Sequence, residues 1–258
     1  MNRTKIVNIV LNDFTNDSRV LKTSSSLVKL GYQVTVVAMH NKGLIEKEEI
    51  GDINVDRVRL TSRPWPKYKP IQFVKYIEFL LRAFWRYRKS DIVYCNDLNA
   101  LPIGLLIKLF GKNVKVIYDC HEYETEINGL KGFEKKIKKY LESFFIRYAD
   151  QVITVSDSIA NEYTRLYNIS KPHLVLNCPH YKEQEKSNLF RENLSIRSDQ
   201  TIFLYQGGLG KGRGIEMLLE AFSGLDSEST VLVCMGYGPL ESLIQDKADV
   251  CKTIFFHP

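Results

Sequence analysis

Apolar residues fall along this chain in two alternating rhythms. Short apolar runs at 5–11, 33–39, 91–95, 114–118 and 151–155 read as buried strands. Between them apolar positions recur at helical spacing. Val20, Leu21, Leu27, Val28 and Leu30 form one such set, with Ser18 as the expected cap and Gly31 as the stop. Residues 101–110 form another, stopped by Gly111, and Ile159, Ala160, Tyr163 and Leu166 a third, behind Ser156. Strand, helix, strand from the first residues onward predicts an α/β protein with a parallel, doubly wound sheet. Such sheets bind ligands at the carboxyl ends of their strands.

Two predicted helices are apolar and strongly basic at once. Residues 71–89 carry Phe73, Tyr76, Ile77, Leu80, Leu81, Phe84 and Trp85, with Lys75, Arg82, Arg86, Arg88 and Lys89 on the other side or at the end. Residues 132–148 carry Lys135, Lys136, Lys138 and Lys139 beside Phe133, Ile137, Tyr140, Leu141, Phe144 and Phe145. Each reads as a helix packed on the sheet with a solvated basic face, or as one lying on an anionic membrane surface. Residues 41–51 are charged and read as an exposed loop, 53–60 as a strand and 174–176 as a last short strand. Residues 181–193 read as a polar linker. This places a domain boundary near 180, with domains at 1–180 and 181–258.

The second part opens on the most distinctive stretch, TIFLYQGGLGKGRGIEMLLEAF at 201–222. A strand ends in a loop holding Gly207, Gly208, Gly210, Gly212 and Gly214, and a helix follows. Free N–H groups at a helix start and the helix dipole favour a phosphate, and glycine lets the backbone come close to it. Lys211 and Arg213 add positive charge, Arg213 with a fork that suits two oxygens. A tight turn with solvated cations is the alternative. The loop satisfies neither the dinucleotide G-x-G-x-x-G pattern nor the P-loop's Gly-Lys-Ser/Thr. Strand 230–235 and a Gly236-Tyr237-Gly238-Pro239 turn follow, then a helix and strand 253–256.

Polar residues gather where the strands end. Asn16, Asp17 and Arg19 follow the first strand, and Asn96, Asp97 and Asn99 follow 91–95. His121 and Glu122 follow 114–118. A histidine there can orient a substrate hydroxyl or donate to charge developing on a leaving phosphate. Satisfaction by local backbone groups is the alternative.

Composition narrows the class. No apolar run reaches the ~18 residues of a membrane span. The opening MNRTKIVNIVL does not read as a secretory signal. The five cysteines are scattered without a C-x-x-C pair, which points to reduced, buried thiols in a cytosolic protein. Residues 1–182 carry 29 Lys and Arg against 19 Asp and Glu, while 183–258 carry 7 against 11. The basic residues lie on two amphipathic helices without a nucleic-acid motif, so no nucleic-acid partner is expected.

With these residues read, the chain resembles a glycosyltransferase of the GT-B fold, family 4. The resemblance rests on NDSRVLKTSSSLVKLGYQVTVVA, DIVYCNDLNALP, VIYDCHE, ADQVITVSDSIANEY, LVLNCP, LYQGGLGKGRGIEMLLEAF and MGYGP, in that order. It implies two Rossmann-like domains, the second incomplete here. The second would bind a nucleotide-sugar, UDP- or GDP-linked, typically without a metal or other cofactor. The first would hold a glycan or lipid-linked acceptor through Asn16, Asp17, Arg19 and Glu122. The sugar would move with retention, in cell-surface polysaccharide biosynthesis. Apart from the resemblance, the basic first half suits an acceptor presented at an anionic membrane, with the protein cytoplasmic and peripheral on the inner face. His121 falls on the family's histidine near the donor sugar, and Gly207 and Gly208 on its glycine loop. Arg213 and Gly214 fall on its Lys-Gly, and Gly236 and Gly238 on its Gly-x-Gly turn. Arg213 and backbone donors would stabilise the leaving diphosphate, which would take the proton of the incoming hydroxyl.

Two departures qualify the resemblance. Many members have an arginine where this chain has Gly208, so one cation is absent or supplied elsewhere, for instance by Lys211. The family's Glu-x7-Glu motif is not found in place. The spacings Glu134/Glu142 and Glu220/Glu228 lie elsewhere and read as chance. With three predicted strands after the boundary, the chain is expected to be a truncated enzyme with weak or no activity alone. A non-catalytic acceptor- or membrane-binding fragment is the second reading.

Overall fold

The computed structural model describes residues 3–120, 132–179, 181–183, 185, 187–225 and 229–258. His121 and Glu122 lie outside the described residues. The chain divides into two compact units, Met1–Pro179 and His180–Pro258.

In chain order the first unit contains β1 (Lys5–Ile9), α1 (Ser18–Lys29), β2 (Gln33–Met39), β3 (Lys47–Ile50), β4 (Ile53–Val58) and α2 (Lys69–Tyr87). Then come β5 (Ile92–Asn96), α3 (Asp97–Phe110), β6 (Lys115–Cys120) and α4 (Gly132–Phe145) with a 3-10 turn at Ile146–Tyr148. β7 (Gln151–Thr154), α5 (Asp157–Tyr167) and β8 (His173–Leu174) complete it. Its sheet runs β3-β4-β2-β1-β5-β6-β7-β8, parallel except where β3 meets β4. β1 lies between β2 and β5 with apolar residues in register on both sides: Ile6 lies opposite Val34 on β2 and Ile92 on β5. The chain runs outward from β1 through β2 and returns to its other side at β5. The topological switch point, where ligands bind in such sheets, therefore falls between β1 and β5.

The second unit contains α6 (Leu189–Leu194), β9 (Thr201–Gln206), α7 (Ile215–Ser223), β10 (Thr230–Met235), α8 (Glu241–Val250) and β11 (Ile254–His257). Its described strands form a parallel sheet in the order β11-β10-β9. β10 lies in the middle, and Val231, Leu232, Val233 and Cys234 are all buried. Ile215, Leu219 and Phe222 of α7 pack with Leu232 and Cys234.

Four expectations change. The stretch 41–51 contains a strand, β3, whose charged KEEI sequence hides it. It is an edge strand held by backbone bonds to β4, and charged edges are how sheets avoid further pairing. Asp17, not Ser18, caps α1: its Oδ1 accepts from Val20 N at 3.0 Å, and Ser18 is already helical. The linker at 181–193 gives way to α6 from Leu189. Not all the cysteines are buried thiols, for Cys178 is exposed.

α4 also sits unlike an ordinary amphipathic helix. Glu142 is its buried residue, with Oε1 accepting from Tyr118 (2.6 Å) and Tyr163 (2.7 Å) and Oε2 from Tyr167 (2.8 Å). A buried carboxylate is tolerated when hydroxyl donors replace water around it.

Midway along α2, Glu78 accepts from Thr61 N (2.7 Å) and Ser62 N (2.9 Å) of the loop after β4 and from Arg82 Nε (2.9 Å). Burial raises its carboxyl, but these hydrogen bonds and that of the Ser62 hydroxyl outweigh it and hold the group down at about 2, against 4.5 ordinarily. A folded-state value below the unfolded one gives stability that is complete above pH 4.5 and fades as pH falls towards 2. Glu78→Gln is expected to flatten that acid arm and to cost about 1–2 kcal/mol at neutral pH. Urea denaturation at pH 7 and at acid pH checks this, and an unchanged acid slope would contradict it.

Candidate functional site

In each unit the candidate residues gather at the strand ends. In the first, the loop from β1 to α1 is held from several sides. Phe14 is buried with φ 54°, a left-handed backbone that bulky residues rarely adopt. Phe14 N donates to Asn12 Oδ1 at 2.9 Å, and Thr15 Oγ1 to Asp13 Oδ1 at 2.7 Å. That hydroxyl contact is the leading reason the Asp13 carboxyl lies below its usual value. Arg57, buried on β4, reaches under the loop: Nε donates to Asp13 O at 2.7 Å, and the guanidinium pairs with Glu48 at 2.6 Å. A guanidinium holding loop carbonyls replaces the regular hydrogen bonds the loop lacks.

At the switch point Asn96 Nδ2 donates to Ile9 O at 2.9 Å and to Asn8 Oδ1, while Asn8 Nδ2 donates to Ser24 on α1 at 3.0 Å. This buried amide chain ties the ends of β1 and β5 to the first turns of α1. Arg19 lies beside it. Its guanidinium pairs with the fully buried Asp119 at 2.6 Å, and Tyr94 donates to the other carboxylate oxygen at 2.7 Å. Burial, then the Asp119 charge, pushes the Tyr94 hydroxyl far up, so it stays a donor. Arg19 Nε is buried with no hydrogen-bond partner among the described residues. Above these groups opens a cleft of about 370 Å³ lined by Asn12, Asp13, Thr15, Asn16, Asp17, Arg19 and Asn177.

The expected acceptor residues thus divide. Asn16 and Asp17 line the cleft, Asp17 while capping α1 and accepting from Asn12 at 2.8 Å. Arg19 is a buried ion-pair partner that reaches the cleft from below. Glu122 and His121 lie outside the described residues.

In the second unit, the amides at 207 and 209 are engaged with the turn after β10. Gly207 N donates to Met235 O at 3.0 Å, and Leu209 N to Tyr237 O at 2.9 Å. Leu209 is buried and returns a bond from Leu240 N at 3.0 Å. The close approach explains the second glycine pair: a Cβ on Gly236 would lie 2.0 Å from Gly207 O, and one on Gly238 2.4 Å from Leu209 O. Gly207, Gly212 and Gly214 are needed for their positive φ (147°, 80° and 76°). Gly208 and Gly210 have neither demand. Gly210 has open space above it, and the Arg213 Nε lies 3.9 Å from where a Gly208 Cβ would be. α7 starts at Ile215 behind Gly214, which offers no side-chain cap, so its first-turn N–H groups remain donors. Arg213 is exposed beside them, and Lys211 also lies in the loop. Arg213 thus lies folded over Gly208, beside the uncapped start of α7. Among the described residues no group of three or more His, Cys, Asp or Glu could hold a metal ion.

Sequence reading overlooked Arg57 and gave no part to Asp119 or Glu142. A charged pair inside the apolar INVDRV strand was the available signal for Arg57. Nothing local pointed to Glu142, whose partners are 21 to 25 residues away.

A parallel-dominated sheet with a ligand-ready switch point, and a second strand–glycine loop–helix unit, define the GT-B class of α/β folds. Residues 18–178 match the family described as Glycosyltransferase Family 4, and the chain belongs to that family. An uncharacterized glycosyltransferase of Methanocaldococcus jannaschii is 27% identical over 238 residues, 86% of this chain. The chain spans 59% of that relative's length. Among solved structures, the catalytic domain of starch synthase IV from Arabidopsis thaliana, bound to ADP and acarbose, superposes with a TM-score of 0.68 at 12% identity. That match covers 99% of this chain and 74% of the other. The E. coli trehalose-6-phosphate structure bound with UDP-2-fluoro glucose has a TM-score of 0.59 at 10% identity, covering 95% of this chain and 68% of that one. These two likenesses concern the fold. No helix among the described residues is long and apolar enough to cross a membrane.

Proposed function

We propose that the protein transfers a sugar, with retention, from a UDP- or GDP-linked nucleotide-sugar to a glycan or lipid-linked acceptor. The setting is cell-surface polysaccharide assembly on the cytoplasmic side of a membrane. The observation that carries this is a pair of glycines that neither φ nor packing requires, Gly208 beneath Arg213 and Gly210 under open space, in the loop that leads to the uncapped start of α7. A backbone kept bare where a cation and helix N–H groups converge suits a diphosphate. There Arg213 and the loop amides stabilise charge building on the leaving group, where preorganised donors act most strongly. The departing phosphate takes the acceptor's proton, so no protein base is required. The acceptor lies in the Asn16–Asp17–Arg19 cleft, where the side chains of Asn16 and Asp17 face its hydroxyl groups.

Calorimetric titration with UDP, GDP and ADP tests the donor half of this reading. One nucleotide is expected to bind, and Arg213→Ala to weaken it about 10- to 100-fold, the effect of losing a charge-assisted contact. No heat from the folded chain, or equal affinity in Arg213→Ala, would overturn it.

A further inference from the structure

The apolar stripe of α4 is turned away from the protein. Phe133, Ile137, Tyr140, Leu141 and Phe144 share one helix face by their three- and four-residue spacing. Yet Phe133 is 77% exposed, Tyr140 73% and Phe144 50%, while Glu142, about half a turn round the helix, is fully buried. An amphipathic helix at a sheet surface ordinarily turns the other way. Here the three tyrosine hydroxyls on Glu142 and the buried Ile146 fix its rotation with the stripe outward.

The stripe continues across the neighbouring helices. Between α3 and the end of α4 lies an apolar groove of about 740 Å³, lined by Leu105, Leu109, Phe144 and Tyr148 among others. Phe110, exposed at the end of α3, meets Phe84 of α2 edge-on at 5.6 Å. Phe84 in turn meets the exposed Trp85 at 5.3 Å. Cations are placed along the same surface. Lys136 is exposed and neighbours Phe133 and Tyr140 at i−3 and i+4, Arg147 lines the groove, and the Arg88 guanidinium lies 4.7 Å over Trp85. The nearby carboxylates already have partners: Glu134 is paired with Lys69, and Asp150 with Lys108 and Lys115.

We propose that this face docks on an anionic lipid bilayer, with the α4 stripe and Trp85 in the interface and Lys136, Arg147 and Arg88 on headgroup phosphates. Aromatic side chains favour that boundary, and basic ones near it are drawn to anionic lipid. Charge selects lipid over a second copy, because two-fold pairing of this face would set like cations against each other. The proposal rests on the sugar-transfer reading for its purpose and names the surface that brings the acceptor cleft to a lipid-linked acceptor. Its physical basis is independent of the donor loop.

Flotation of the whole chain with phosphatidylcholine vesicles, with and without phosphatidylglycerol, tests it. Binding is expected with the anionic vesicles alone. Phe133→Ser and Phe144→Ser should each weaken it about tenfold, and Lys136→Glu at least about fivefold. In a Trp65→Phe background, Trp85 emission should shift to the blue on binding. These exposed positions leave the fold intact, and nucleotide titration of the same samples reads the donor site separately. Absence of vesicle binding by the folded chain would overturn the proposal, as would binding unchanged in all three variants. Self-association that the phenylalanine variants abolish, without vesicle binding, would overturn it in favour of a second copy.

Discussion

Arg19→Ala is expected to cost about 3–5 kcal/mol of stability in the first unit, the usual penalty for stranding a buried charge. The reason lies with Asp119, which is fully buried and has the Arg19 guanidinium at 2.6 Å and the Tyr94 hydroxyl at 2.7 Å. Remove the arginine and a carboxylate remains inside the sheet with one neutral donor. Asp119→Asn is expected to cost less, since the amide keeps an acceptor for Tyr94 and carries no charge. The double variant should cost less than the sum of the two, with a coupling of about 1–3 kcal/mol between residues in contact. Urea denaturation of the four proteins measures it. Additive losses below about 1 kcal/mol would mean the pair is solvated and the reading of Arg19 as a buried strut wrong. The effect reaches the cleft after β1, because Arg19 is part of its lining.

Gly236→Ala should abolish nucleotide binding and destabilise the second unit by about 2–5 kcal/mol, combining a strained φ with overpacking. Its φ is 140°, and the added methyl would lie 2.0 Å from the backbone oxygen of Gly207. That oxygen belongs to the loop backbone and cannot swing aside as a side chain can, so the ends of β9 and β10 must part. Gly210→Ala supplies the contrast. It has open space above it and no positive φ, so stability should stay within about 0.5 kcal/mol. If Gly210 is bare in order to admit a phosphate, binding should nonetheless fall. Thermal unfolding and calorimetry on both variants separate the two roles. A Gly210→Ala protein that binds normally would show that its bareness serves no ligand.

Elements with a strong local pattern were legible. The strand TVLVCM at 230–235 is uninterrupted and apolar and matches β10 residue for residue, and α7 ends one residue before Gly224, as a glycine stop implies. β3 escaped because an edge strand held by backbone bonds to β4 needs no apolar side chains. The cap of α1 shifted by one residue because Asp17 and Ser18 are both good caps. The choice falls to the loop, where Asn12 and Arg57 hold the chain so that Asp17 is the last residue outside the helix. At the candidate donor site, the glycine loop and Arg213 were visible, but not why each glycine is there.

What the sequence determined by itself is what periodicity and local chemistry encode within a few residues: the parallel α/β architecture, the glycine loop at the start of a helix, and the polar residues at the strand ends. What tertiary structure alone decided are the partners. Arg19 meets Asp119 across 100 positions because β1 and β6 are separated in the sheet only by β5. Gly236 must be glycine because Gly207 passes over it. α4 shows its apolar face outward because three tyrosines from β6 and α5 hold Glu142 inward. A helix's periodicity defines its faces, but which face turns inward depends on what the rest of the fold places opposite it.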